Sequence, residues 1–122
     1  MMSLILHLED EESLCEILRF SLSVAEPQPD LIQFMNSDLA IKHIDEHLKT
    51  IDLFLLDIRV PGKVDGIGVA EHIRKLGSTK PIIISSAFRK PENHLLERLN
   101  LKWMQKPWHV LDTHRTILPL LE

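Results

Sequence analysis

Four short apolar runs in this chain each empty into a residue with reactive or charged chemistry, and that repetition limits the folds open to it. Leu4 to Leu8 leads into Glu9 and Asp10, Leu53 to Leu56 into Asp57, Ile82 to Ser85 into Ser86, and Trp103 to Gln105 into Lys106. Each run has the length of a strand, and its near-continuous apolar character suits a strand buried on both faces. In an open parallel sheet the carboxyl ends of the strands line one edge, and ligands bind in the crevice outside it. Three acids, a hydroxyl and an ammonium are therefore expected to converge.

The segments between these runs have helical spacing. Ser13 is expected to cap a helix with Leu14, Ile17, Leu18 and Leu22 on one face, ending near Val24. Leu31 to Met35 reads as a second strand, and Ser37 or Asp38 as the start of a helix that buries Ala40, Ile41, Ile44 and Leu48. Val69, Ile73 and Leu76 mark a third helix that Gly77 and Ser78 end, and Pro91 to Leu99 a short fourth. A last helix spans Val110 to Leu118, with Pro119 stopping or kinking it. Strand and helix thus alternate five times, which predicts an α/β fold: one five-stranded parallel sheet, helices on both faces, right-handed crossovers.

Composition fits this picture. At 122 residues the chain is sized for one domain over 1–122, and 44% hydrophobic with 26% charged residues is ordinary for a globular protein. The formal net charge of -4 argues against a nucleic-acid-binding surface. A single cysteine, Cys15, rules out an internal disulfide and reads as packing on a helix face. No stretch has the length or apolarity of a membrane span, and the N-terminus lacks the pattern of a secretory signal, so a cytoplasmic location is expected. His43 and His47 lie four apart without a third metal ligand, and read as a solvated helix face.

Five separated motifs occur in order: Leu-Glu-Asp-Glu-Glu at 8–12, Leu-Leu-Asp-Ile-Arg-Val-Pro-Gly at 55–62, Asp65-Gly66, Pro-Ile-Ile-Ile-Ser-Ser-Ala at 81–87 and Lys106-Pro107. Through them the chain resembles the receiver domain of two-component response regulators, from Leu4 to Leu118. The resemblance implies the flavodoxin-like, doubly wound fold, with Asp57 as the acceptor of a phosphoryl group from a histidine kinase. It implies magnesium, or manganese in its place, held by Glu9, Asp10, Asp57 and the backbone carbonyl of Arg59. Lys106 and Ser86 would bind phosphoryl oxygens, the bond before Pro107 would be cis, and Ser86 and Trp103 would act as the switch pair. The expected partners are a sensor histidine kinase or a histidine phosphotransfer protein and a downstream protein target, with dimerisation on phosphorylation a further implication.

The chemistry agrees with that assignment. A carboxylate attacking a phosphoryl group approaches another anion, and a divalent cation between them offsets the repulsion. Magnesium favours oxygen ligands from one or two carboxylates together with water and phosphate.

Departures from the family pattern are also visible. Gly62, Lys63 and Val64 separate Pro61 from Asp65, one residue more than usual, and the stretch from Ser86 to Lys106 is about two residues short. Trp103 stands where tyrosine or phenylalanine is commoner. No further module follows Glu122, which reads as a stand-alone relay or a piece of a longer regulator. Two other readings are a receiver-like module that signals without phosphorylation and a magnesium-dependent phosphatase with an aspartyl nucleophile. The second would want an acid two residues beyond Asp57, where Arg59 stands.

Overall fold

A computed structural model describes residues 2–122. Five strands, β1 (Leu4–Leu8), β2 (Asp30–Phe34), β3 (Leu53–Asp57), β4 (Ile82–Ser86) and β5 (Leu101–Gln105), form one parallel sheet in the order β2-β1-β3-β4-β5. Each strand is followed by a helix: α1 (Glu12–Ser23), α2 (Ser37–His47), α3 (Gly66–Lys75), α4 (Asn93–Leu99) and α5 (Val110–Thr116). A 3-10 turn at Leu48–Thr50 extends α2, and another at Leu118–Leu121 carries Pro119. The expected α/β architecture is the observed one.

Alternation along the central strands sorts the core into two layers. Leu6, Leu8, Phe54, Leu56, Ile82 and Ile84 face α2, α3 and α4, where Ile44, Val69, Ile73 and Leu96 close over them. Ile5, Leu53, Leu55, Ile83 and Met104 face the other way, toward Leu14, Leu18 and Leu22 of α1, with Trp108 and Ile117. The residues of the central strands β1 and β3 from Ile5 to Leu8 and Leu53 to Leu56 are almost completely buried, each aliphatic one contributing roughly 1.5–3 kcal/mol of transfer free energy. That burial fixes the strand register, since a one-residue slip would turn every side chain to the wrong layer.

Local boundaries differ from the sequence expectation in several places, among them α4, which starts at Asn93 and not at Pro91, and α5, which ends at Thr116, two residues before Leu118. α1 begins at Glu12, so Ser13 lies inside the helix and is not its cap; Glu11 holds the cap position. For α2 the cap is Asn36, whose Oδ1 accepts from the Leu39 N–H at 2.9 Å, in place of Ser37 or Asp38. β2 starts and stops one residue earlier than expected, and β5 starts two residues earlier, at Leu101.

Candidate functional site

In the strand order 2-1-3-4-5 the chain reverses direction of winding between β1 and β3, and the crevice outside the carboxyl ends of those two strands is where such sheets bind ligands. Glu9 and Asp10 follow β1 there, and Asp57 is the last residue of β3. One carboxylate oxygen from each of the three lies within 4.8 Å of the others. Glu9 and Asp57 are buried while Asp10 is exposed, so the cluster opens to solvent on one side. Lys106, just past β5, reaches into it: its Nζ stands 2.7 Å from Glu9 Oε1 and 3.2 Å from Asp57 Oδ2. The Lys106–Pro107 bond is cis, as the resemblance implied.

Ser86, buried at the end of β4, accepts a hydrogen bond from the Phe88 N–H at 3.0 Å through its Oγ. By strand alternation it belongs to the layer of Ile82 and Ile84, whereas Ser85 is level with Asp57 in the β3–β4 register. Trp103 is half-buried against the α2/α3/α4 layer. Close backbone approach completes the rim: a Cβ on Gly66 would collide with the Asp57 carbonyl oxygen, so glycine lets α3 begin directly beside the end of β3.

The response regulator receiver domain profile matches residues 5–109. The chain belongs to that family. Solved structures with the same fold include a CheY-like receiver domain protein from Methanospirillum hungatei JF-1, 18% identical, covering 99% of this chain and 94% of that one with a TM-score of 0.84. Chemotaxis protein CheY4 of Vibrio cholerae is 16% identical over 99% of this chain and 100% of its own, with a TM-score of 0.83. A two-component response regulator from Clostridium difficile is 20% identical, covers 98% of this chain and 96% of its own, and has a TM-score of 0.82. No curated protein sequence matches the chain.

Within this receiver the electrostatics of the crevice are set by burial. Desolvation pushes the Glu9 carboxyl up to about 7, with the charge of Asp57 adding to it and the Lys106 ammonium opposing. Asp57 is likewise raised by burial, against the pull of Lys106, a hydrogen bond with Glu9 and the Arg59 backbone amide. Burial alone would weaken the charge on Lys106, but its hydrogen bond to Glu9 and the two carboxylates outweigh it and hold the ammonium above its ordinary value. Three carboxyl groups against one ammonium leave the cluster short of positive charge. All its donors are oxygens, and one carboxylate faces water; that composition suits a hard divalent cation that keeps part of its hydration shell.

Glu9 has a second task that its place in the sequence did not announce. Its Oε1 holds Lys106 and its Oε2 accepts from the Glu11 N–H at 3.2 Å, at the residue just ahead of α1. The extra residue between Pro61 and Asp65 does not bulge free. Ser37 donates its N–H to the Pro61 carbonyl at 2.8 Å, and Asp38 Oδ1 accepts from the Lys63 N–H at 3.3 Å, so the loop is tied to the first turn of α2. Gly62, at φ +124°, sits over the Ser37 hydroxyl so closely that any side chain there would strike it. The tie to Lys63 occupies the carboxylate of Asp38, one of the two residues that the sequence offered as caps.

Sequence reasoning also missed three contacts around the rim. The Arg59 guanidinium lies 3.9 Å above the Phe88 ring, bridging the loops after β3 and β4. The Gln105 amide donates to the carbonyls of Ser86 and Lys106, each at 3.1 Å. Trp108 donates its indole N–H to Ser85 Oγ at 3.2 Å in the buried α1-side layer. The only hint of the last was that two serines, and not one, end β4.

Proposed function

We propose that this receiver carries a phosphoryl group on Asp57, taken from a phosphohistidine of a sensor kinase or histidine phosphotransfer protein, and passes its state to a downstream protein in the cytoplasm. The observation that carries the reading is the Lys106 ammonium held between Glu9 and Asp57, 3.2 Å from the latter, in a cluster with room for charge of the same sign. A carboxylate oxygen of Asp57 attacks phosphorus, the phosphorus–nitrogen bond breaks, and its electron pair returns to the imidazole, which takes up a proton. Lys106 meets charge on the transferred phosphoryl oxygens, and burial strengthens that interaction.

Glu9, Asp10, Asp57 and the Arg59 carbonyl would hold magnesium, or manganese in its place, and when bound the ion neutralises charge shared by the two reacting anions. Ser86 is the second oxygen-binding group. Its Oγ accepts from the Phe88 amide and keeps its own hydrogen to donate, so a move toward a phosphoryl group that retains the Phe88 bond draws the β4–α4 loop with it. Trp103, packed beside α4, is placed to feel that displacement, and a changed α4–β5 surface is where the downstream target or a second copy would bind.

Receivers are generally phosphoacceptor signalling domains and not enzymes acting on external substrates. Consistent with that, the position two residues beyond Asp57, where an aspartyl phosphatase would want an acid, holds Arg59 stacked on Phe88. Incubation with magnesium and acetyl phosphate, read by intact mass, is expected to add one phosphoryl group, and none in Asp57→Asn or without the metal. Failure to gain mass from acetyl phosphate and from phosphorylated kinase domains alike would reject phosphotransfer in favour of a receiver-like module that works by binding alone.

A further inference from the structure

Lys106 acts at the end of a turn, and the value of its ammonium depends on how firmly that turn is held. Two ties hold it to β4 besides the Lys106 N–H to Ser86 carbonyl bond at 3.0 Å. One is the Gln105 amide, on an exposed residue whose bonds are only partly shielded from water. The other is the Trp108 indole bonded to Ser85 Oγ, where both residues are only 2% exposed. A neutral hydrogen bond counts for more where water cannot replace it.

Ser85 is no neutral anchor point. It pairs with Asp57 in the β3–β4 register, and its carbonyl accepts from the Ile58 N–H at 3.1 Å, so it is fixed to the acceptor strand on one side. On the other, its hydroxyl receives the indole two residues beyond Lys106. The Trp108 ring is wedged among the α1-side core residues, with the buried His7 ring 6.4 Å away, so the indole has little freedom to follow a moving turn.

Resting on the phosphoacceptor reading above, we propose that Trp108 is a positioning residue for Lys106: its buried hydrogen bond to Ser85 locks the Lys106 turn at a fixed distance from Asp57. It touches neither the phosphoryl group nor a metal. Its effect is carried through the lysine, and it therefore belongs to phosphoryl binding and not to cation binding, which Glu9, Asp10 and Asp57 dominate.

The test compares Trp108→Phe, Ser85→Ala, the double variant and Ser85→Thr in the full chain, reading the rate of phosphorylation by acetyl phosphate and the magnesium affinity by calorimetry. Each single loss is expected to slow phosphorylation about fivefold, the worth of one neutral hydrogen bond, with the double variant no slower than either. Ser85→Thr keeps the hydroxyl and is expected to retain the wild-type rate, and magnesium affinity is expected to stay unchanged throughout. Ser85→Ala removes a single atom, so it answers even where Trp108→Phe folds poorly. Unaltered rates in an active protein, multiplied losses in the double variant, or magnesium affinity falling in step with rate would overturn the positioning role alone. A wild-type chain that gains no phosphoryl group would overturn the phosphoacceptor reading and this role with it.

Discussion

Glu9 concentrates the electrostatic tension of the rim in one side chain. It is buried, it pairs with Lys106, and its carboxyl titrates near 7 where an exposed glutamate does so at 4.5. A cation competes with the proton for the ionised form, so magnesium affinity is expected to be constant above about pH 7 and to weaken on acidification, by at most about tenfold per pH unit for one displaced proton. Glu9→Gln should flatten that dependence in calorimetric titrations. Affinity that does not change on acidification from pH 7 to the glutamate's ordinary 4.5 would disprove the coupling. At this scale the sequence was readable wherever a polar residue ended an apolar run. Glu9, Asp10, Asp57 and Lys106 were found that way, and the structure brings them together. Trp108 and His7 were not, because their partners, Ser85 and Gln33, are distant in sequence and nothing in spacing reveals a bond between them.

Among the elements, α3 and the turns that follow α3 and α4 depend on Arg74. Its guanidinium donates to four backbone carbonyls: Leu99 at 2.7 Å, Ser78 at 3.1 Å, Lys80 at 2.7 Å and Asn100 at 3.0 Å. Asn100 adopts a left-handed conformation, φ 52°, to close the tight α4–β5 connection. The shortened stretch before Lys106 thus gains from one side chain what a longer loop would supply through its own bonds. Arg74→Ala is expected to lower stability by about 2 kcal/mol, read as a lower urea midpoint, since charge-assisted hydrogen bonds contribute roughly 1.5–3 kcal/mol where they are shielded and less where water reaches them. Arg74→Lys should not recover it, because a compact ammonium cannot span carbonyls set in a fork. Wild-type stability in both variants would show that water replaces these bonds without loss. The elements themselves were legible from periodicity. Their ends were less so: Lys102 hid the start of β5 because an edge strand needs to be apolar on one face only.

At the scale of the whole molecule, the sheet buries an imidazole away from the rim. His7, on the central strand β1, is 1% exposed, and its Nδ1 accepts from the Gln33 amide at 3.1 Å while the same amide reaches the Cys15 carbonyl at 2.9 Å. Burial first, and Lys106 second, depress its titration from 6.5 to about 3. The sign follows: the unfolded chain takes up a proton below 6.5 that the native chain refuses until about 3, so this residue makes global stability fall on acidification across that window, by up to about 1.4 kcal/mol per pH unit. Glu9 acts oppositely between 4.5 and about 7, because its raised titration costs stability as pH rises. Comparing urea midpoints of wild type and His7→Leu across pH isolates the histidine, and the variant's decline toward pH 3 is expected to be shallower. Parallel curves would refute it.

The two-layer division was predictable from alternation along the strands, and it has a consequence for the indoles. Trp103 lies half-buried in one layer and Trp108 fully buried in the other, with the sheet between them. Their fluorescence should differ in colour, the enclosed ring emitting toward the blue and the wetter one toward the red. A spectral change on activation would thus identify by its wavelength which side of the sheet has moved.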